Sequence, residues 1–351
     1  NLERVLGDVR LAVRDWKTMR EKLRGIIQSL KSDPPPVPPE EYTEAVAFLQ
    51  WLDDDHYTYL GFREYRFAGK GADAHLEIVP NTPLGVLSDA ERRVFDDRRN
   101  FGQLGDEIVR YMLSPQLLTV AKANRRSTVH RPVHMDTIGI KQIAKDGTVV
   151  GEWRFVGLFT SVAYNLSPRA IPLLRQKVER VLQTAGFPPQ SHDGKALAHI
   201  LDTYPRDDMF QISVPALAEI SRGILHLQER QRIALFVRKD AFERYVSCLI
   251  YVPRDRLSTD LRVRLLDIIS KAYGGSVATF YTHMTDEPLA RLHVIIRTKR
   301  GEVPNVDVVE LEARLIEAGR TWADRLRQSL GDRFKDGEGV RLYDRYAEAF
   351  P

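Results

Sequence analysis

Five prolines crowd into Asp33-Pro34-Pro35-Pro36-Val37-Pro38-Pro39, and no regular element can run through them. Each proline removes a backbone donor and pushes the residue before it out of the helical region. The stretch is therefore a stiff, extended linker over residues 33–41 and a domain boundary. On its N-terminal side Leu2, Val5, Val9, Ala12, Trp16, Met19, Leu23, Ile26 and Leu30 recur at steps of three and four. That spacing draws one apolar seam along a single amphipathic helix over residues 1–32. Arg14, Lys17, Arg20 and Lys22 lie off the seam, as a solvated flank does. A seam needs a cover, and the sequence leaves open whether a second subunit or the same chain supplies it. If it is a second subunit, Val9, Trp16, Met19 and Leu23 are the expected oligomerisation residues.

At 351 residues the chain is too long for one ordinary core and suits two or three. Residues 42–166 read as the first. A short helix from Glu40 through Leu52 leads into Asp53-Asp54-Asp55, and the alternating Tyr57, Tyr59, Phe62, Tyr65 and Phe67 read as strand. A second strand spans His75 to Val79, and a charged helical stretch lies near Ser88 to Phe95. Strands resume at 117–121 and 137–144, and Asp146-Gly147 turns the chain into a last strand, 149–159. This α+β pattern with an antiparallel sheet resembles a PAS-type sensor domain.

Residues 167–230 read as a helical connector. Ser167-Pro168 is a cap followed by proline at the first helical position, and Leu173, Leu174, Val178, Val181 and Leu182 line one face up to Gly186. Two more helices are expected over 195–204 and 214–228. Residues 231–331 then run ββαββα, with strands at 233–238, 245–252, 277–283 and 291–298, a helix at 258–273 and another at 306–330. An ACT domain, which is ferredoxin-like, runs βαββαβ. Moving its final strand to the front yields the observed order and hairpins that strand to its sheet neighbour, so the unit resembles an ACT domain with a permuted edge strand. Residues 332–351, charged and Gly-rich, are expected to be a linker to a next domain. Both ends of the chain fall in helical patterns, which suggests a piece of a longer polypeptide.

The chemistry-bearing residues do not converge. Lys and Arg number 52 against 48 acidic residues, a mixed surface rather than a basic stripe for phosphates. Cys248 is the single cysteine, which rules out an internal disulfide and fits a reducing cytoplasm. No apolar run approaches the roughly 20 residues of a membrane-spanning helix. Gly69, Gly71 and Ala74 mimic a dinucleotide fingerprint but sit between strands instead of opening a helix. His130 and His134 lie four apart, yet Pro132 between them argues against the helix that would pair them on a metal. Asp53-Asp54-Asp55 reads better as a solvated, capping turn than as a magnesium site. No serine stands in a Gly-x-Ser-x-Gly or Ser-x-x-Lys motif, and a P-loop is absent. Catalytic, cofactor-binding and metal-binding residues are therefore expected to be none.

The most suggestive polar cluster is Arg254, Asp255, Arg256 and Ser258. Free amides and the dipole at the following helix N-terminus, with two arginines beside them, could clamp the carboxylate of an amino-acid effector. The plainer reading is a solvated connection whose serine caps the helix.

Two segments resemble signature stretches of the large bacterial NAD-specific glutamate dehydrogenases: Phe48-Leu49-Gln50-Trp51-Leu52 on to His56-Tyr57-Thr58-Tyr59-Leu60-Gly61-Phe62-Arg63-Glu64-Tyr65, and Tyr204-Pro205-Arg206-Asp207-Asp208-Met209-Phe210-Gln211-Ile212. Lys141 to Phe159 and the 233–298 unit are similar in kind. The resemblance implies a regulatory N-terminal region with ACT-type and PAS-type modules, lacking the dehydrogenase domain and its NAD. It implies, for the whole enzyme, NAD-dependent conversion of L-glutamate to 2-oxoglutarate and ammonia, control by amino acids, and homo-oligomers. The expected role is non-catalytic, in subunit contacts and effector response in the cytoplasm, with no nucleic-acid or membrane partner. A free-standing small-ligand sensor of PAS or ACT type is the alternative.

Overall fold

The computed structural model describes residues 2–69, 75–88, 106–227, 231–299, 303–334 and 337–346. The chain forms two compact units, Asn1–Leu225 and His226–Pro351. The expected charged helix near 88–95 falls almost wholly outside the described residues, as do Gly71 and Ala74.

In the first unit α1 (Leu2–Ser32) packs on an antiparallel sheet, with Ala12 in one apolar cluster with Leu60, Ala123, Met135, Val156 and Leu158. Its C-terminal half buries Met19, Leu23, Ile26, Ile27 and Leu30, so the chain itself covers that part of the seam. The N-terminal half is turned the other way. There Asp8 and Asp15 face inward beside Ala12, while Trp16 is 41% exposed and Leu2 72%. Asp15 accepts from the Gly85 amide at 2.8 Å, and Asp8 accepts from the Thr128 hydroxyl at 2.6 Å. Of the residues expected to make a subunit contact, Met19 and Leu23 are thus wholly enclosed by their own unit, Val9 is half-buried, and Trp16 remains exposed.

The proline run is shorter than the expected 33–41 linker and is no domain boundary: it lies within the first unit, and Pro39, whose fixed φ suits a first helical turn, already opens α2 (Pro39–Trp51), which runs into a wide turn, Leu52–His56. Asp55 takes a left-handed φ of 56°, and the Asp53 carboxylate accepts from Arg20 and Arg24 of α1 at 3.0 and 2.8 Å. The acidic triplet is a turn pinned to α1. Then come β1 (Tyr57–Ala68), β2 (His75–Ile78), β3 (Leu84–Gly85), α3 (Asp106–Leu113), β4 (Leu118–Arg126), β5 (His134–Ile143) and β6 (Val149–Phe159). The sheet order is β2-β1-β6-β5-β4, with two-residue β3 also on β1, and every pairing is antiparallel. Alternation of apolar residues located the long strands; β3 and α3 are too short to leave a periodic signal.

Next come α4 (Ser161–Asn165), α5 (Leu174–Ala185), α6 (His192–Thr203), α7 (Arg206–Gln211) and α8 (Val214–Leu227). The single helix expected from Ser167 is instead a short 3-10 turn, Pro168–Ala170, capped by Ser167, followed by a break at Leu173. Leu173 has φ 69°, a conformation a helix cannot continue, and its amide donates to Glu44 at 2.9 Å. An aromatic cluster joins α2, β6 and α7: Phe159 stacks on Phe210 at 4.7 Å, and Phe48 meets both at 5.8–6.5 Å.

The second unit is a four-stranded antiparallel sheet of β7 (Ala234–Lys239), β8 (Tyr245–Pro253), β9 (Ser276–His283) and β10 (Leu289–Arg297), in the order β7-β8-β10-β9. The first strand lies beside the second and the last two exchange places, as a ferredoxin-like sheet permuted at its edge requires. α9 (Thr259–Ala272) and α10 (Val308–Ala318) cover one face. Alternate residues Val246, Cys248, Ile250 and Val252 of β8 and Leu292, Val294 and Ile296 of β10 meet Leu261, Leu265, Ile269, Leu311 and Leu315 of the helices. Cys248 is fully buried there, a small core residue. Gly274, with φ 56°, ends the α9 segment as a left-handed stop.

The helix expected over 306–330 is two. Gly319 ends α10, and Thr321 opens α11 (Trp322–Arg333) with a capping box in which Thr321 and Asp324 satisfy each other's backbone. The stretch from 332 is not all linker either, because α12 (Glu338–Tyr346) packs back on α11 with Arg327 over the Tyr343 ring.

Candidate functional site

The turn singled out as an effector clamp, Arg254–Arg256, is a 3-10 turn between β8 and α9. Its basic groups are engaged within the unit. Arg254 donates to the Thr285 carbonyl at 3.0 Å and lies 3.6 Å from Asp286, and Arg256 donates to Asp324 at 2.7 Å. Ser258 accepts from the Leu261 amide at 3.1 Å as the α9 cap, and Asp255 is exposed. Burial alone would raise the Asp324 carboxyl, but the Thr321 amide and Arg256 hold it below the usual range. The four residues, neighbours in sequence, stand in the arrangement of a capped connection tied to α11. A ligand carboxylate there would have to displace Asp324 from Arg256.

The structure assembles a second polar centre that sequence reasoning missed. Lys122 of β4 places its ammonium 2.7 Å from Asp136 of β5 and 2.9 Å from Asp207 of α7. Tyr164 of α4 donates to Asp207 at 2.8 Å, the Phe159 amide donates to Asp136 at 3.2 Å, and Tyr57 donates to the Asp136 carbonyl at 2.8 Å. Arg131 closes the edge by donating to the Phe159 carbonyl at 2.5 Å. Strands β1, β4, β5 and β6, the β4–β5 loop and α4 thus meet α7 of the connector at one charged knot.

Its electrostatics follow from one ammonium serving two enclosed carboxylates. Burial raises Asp136 to about 6; the Lys122 charge opposes that shift and the Asp207 charge adds to it. Burial would lower the Lys122 ammonium, but Asp136 and Asp207 outweigh it and hold the group well above its ordinary value. Burial, then the negative charge of Asp136, also push the Tyr57 and Tyr164 hydroxyls up, so both stay neutral donors. The group can hold a proton and fasten elements. Signals for it were thin: Lys122 shares β4 with Arg125 and Arg126, Asp136 shares β5 with Lys141, and only Asp207 lay in a stretch already noticed.

That stretch, 204–212, is held at its other end too. Lys177 of α5 donates to the carbonyls of Met209, Phe210 and Ile212 at 2.8–3.0 Å, neutralising the C-terminus of α7. His130 and His134 do not converge: His130 sits in a loop with φ 67°, and the His134 ring bonds the Ala123 carbonyl at 3.0 Å. Among the described residues no three His, Cys, Asp or Glu side chains group as a metal would require, and no helix is long and apolar enough to cross a membrane.

Two family models match this chain. The ACT2 domain of glutamate dehydrogenase covers residues 234–323, and helical motif 1 of glutamate dehydrogenase covers 171–230. The NAD-specific glutamate dehydrogenase of Halomonas elongata is 39% identical over 353 residues, spanning 100% of this chain and 22% of the relative. That of Pseudomonas aeruginosa is 34% identical over 99% of the chain and 21% of the relative, and that of Mycobacterium tuberculosis 31% identical over 86% and 18%. The chain spans about a fifth of the length of the curated relatives it matches.

Proposed function

We propose that this chain, homologous along its length to one region of the NAD-specific glutamate dehydrogenases, is a non-catalytic regulatory and assembly segment of such an enzyme. The single observation that carries the reading is the ACT2 match on residues 234–323, β7 through α10, joined to helical motif 1 over the connector. The whole protein then converts L-glutamate, NAD and water to 2-oxoglutarate, ammonia and NADH in the cytoplasm, with NAD bound outside this segment. The segment contributes subunit contacts and carries the response to an amino-acid effector. Within it we assign residues 42–166 to a PAS-like module, 167–230 to a connector and 231–331 to the ACT-type module. The knot at Lys122 supports that division of labour, because it couples the first module mechanically to the connector.

The test is direct. The isolated chain should show no glutamate-dependent NAD reduction, and calorimetric titration with the common amino acids should give heat for at least one, weakened in Arg256→Gln. Turnover by the chain alone would overturn the assignment. A coloured purified protein, or thermal stabilisation by metabolites other than amino acids, would favour a free-standing sensor.

A further inference from the structure

The N-terminal half of α1 is inside-out. Its inner face carries Asp8 and Asp15, fastened by the Thr128 hydroxyl and the Gly85 amide, while its outer face carries Leu2 (72% exposed), Leu6 (49%), Val13 (63%) and Trp16 (41%) with half-buried Val9 between them. These five follow one another at steps of four, three, four and three. That is the 3.5-residue period of a seam that pairs with another helix, and it lies roughly a quarter turn around the helix from the buried seam Asp8, Ala12, Asp15, Met19, Leu23.

Resting on the subunit-contact reading above, we propose that this outer seam packs against α1 of a second copy of the chain, antiparallel and about a two-fold axis. In that register Leu6 meets Trp16 of the other copy, Val9 meets its Val13, and the reverse contacts repeat by symmetry. The flanking charges choose the antiparallel sense. Exposed Glu3 comes alongside Lys17 of the other copy, and Lys17 alongside its Glu3. In a parallel pair the partners on that flank would be Val5 and Ala12, which offer no charge. Arg10 of each copy lies near the axis, its long side chain splayed into water. Five side chains cover on the order of 400 Å² per copy, about half of what a standard stable interface uses on each side, so the pairing depends on concentration.

Light scattering of the full 351-residue chain should show the mass doubling with rising concentration through the micromolar range. Leu6→Asp combined with Val13→Asp should leave a monomer with unchanged circular dichroism, since both side chains point away from the core. Arg10→Cys should give a covalent dimer with a short bismaleimide, because the native Cys248 is buried and out of reach. A dimer that survives the double substitution, or an Arg10→Cys chain that fails to cross-link, would overturn the α1 pairing and leave the subunit-contact reading standing. A wild-type chain monomeric at every concentration would overturn both.

Discussion

Asp136 and Lys122 carry the sharpest consequences at the scale of single residues. Asp136 titrates near 6 in the folded chain and near 3.8 when unfolded, so the folded state binds this proton more tightly. Its contribution is therefore full below pH 4 and is lost as pH rises through 6. Relative to Asp136→Asn, the wild-type chain should lose roughly 2–3 kcal/mol between pH 4 and 7, a shift of about two pKa units at ~1.4 kcal/mol each. Denaturant midpoints of the two proteins across that range check it, and parallel pH profiles would refute it. The comparison with the variant is needed because Asp15, Glu44 and Asp53 are lowered and act in the opposite sense, losing their stabilisation as pH falls. Removing the shared cation is worse than removing one carboxylate. Lys122→Met should cost about 3–5 kcal/mol near neutral pH by leaving two carboxylates enclosed together, and pairing it with Asp136→Asn should recover part of that loss. None of this was legible beforehand: a lysine in β4 and aspartates 14 and 85 residues away in sequence read as ordinary polar positions until the fold superposed them.

Helices and strands were read well where their apolar period was long and uninterrupted, and poorly where one residue decided the outcome. β1, β6, β8, α1 and α9 sit within a few residues of where periodicity put them. The expected 306–330 helix failed because Gly319 and the Thr321–Asp324 box outweigh a pattern that runs through both. Thr321→Ala should accordingly weaken α11 by about 1 kcal/mol, visible as earlier melting of helical signal from the second unit. β3 shows the opposite limit, an element of two residues whose geometry depends on one glycine. Gly85 has φ 61°, and a side chain there would meet the Leu60 carbonyl oxygen at 2.1 Å while its amide serves Asp15 of α1. Gly85→Ala should cost about 3 kcal/mol or more through strain and overpacking, and recovery of wild-type stability in the purified variant would show that α1 does not depend on this contact.

For the molecule as a whole, two separate cores imply two unfolding events. Calorimetry should resolve two transitions, with Lys122→Met lowering only the one that belongs to residues 1–225. A single transition shifted as a whole by that substitution would contradict the division. The ββαββα order of the second unit and the antiparallel character of both sheets were present in the chain as written, because they depend on local period and on residues that forbid a conformation; the proline run stops α1 for the same reason, but it lies within the first unit and divides no domains. What the tertiary structure alone decided is which faces are covered. A helix's period says that it has a seam, but the neighbour that buries the seam is chosen by contacts a hundred residues away, as Asp8 with Thr128 shows. The same holds for charge. Whether a lysine is a solvated flank or the centre of a buried knot depends on burial, and burial is a property of the assembled fold.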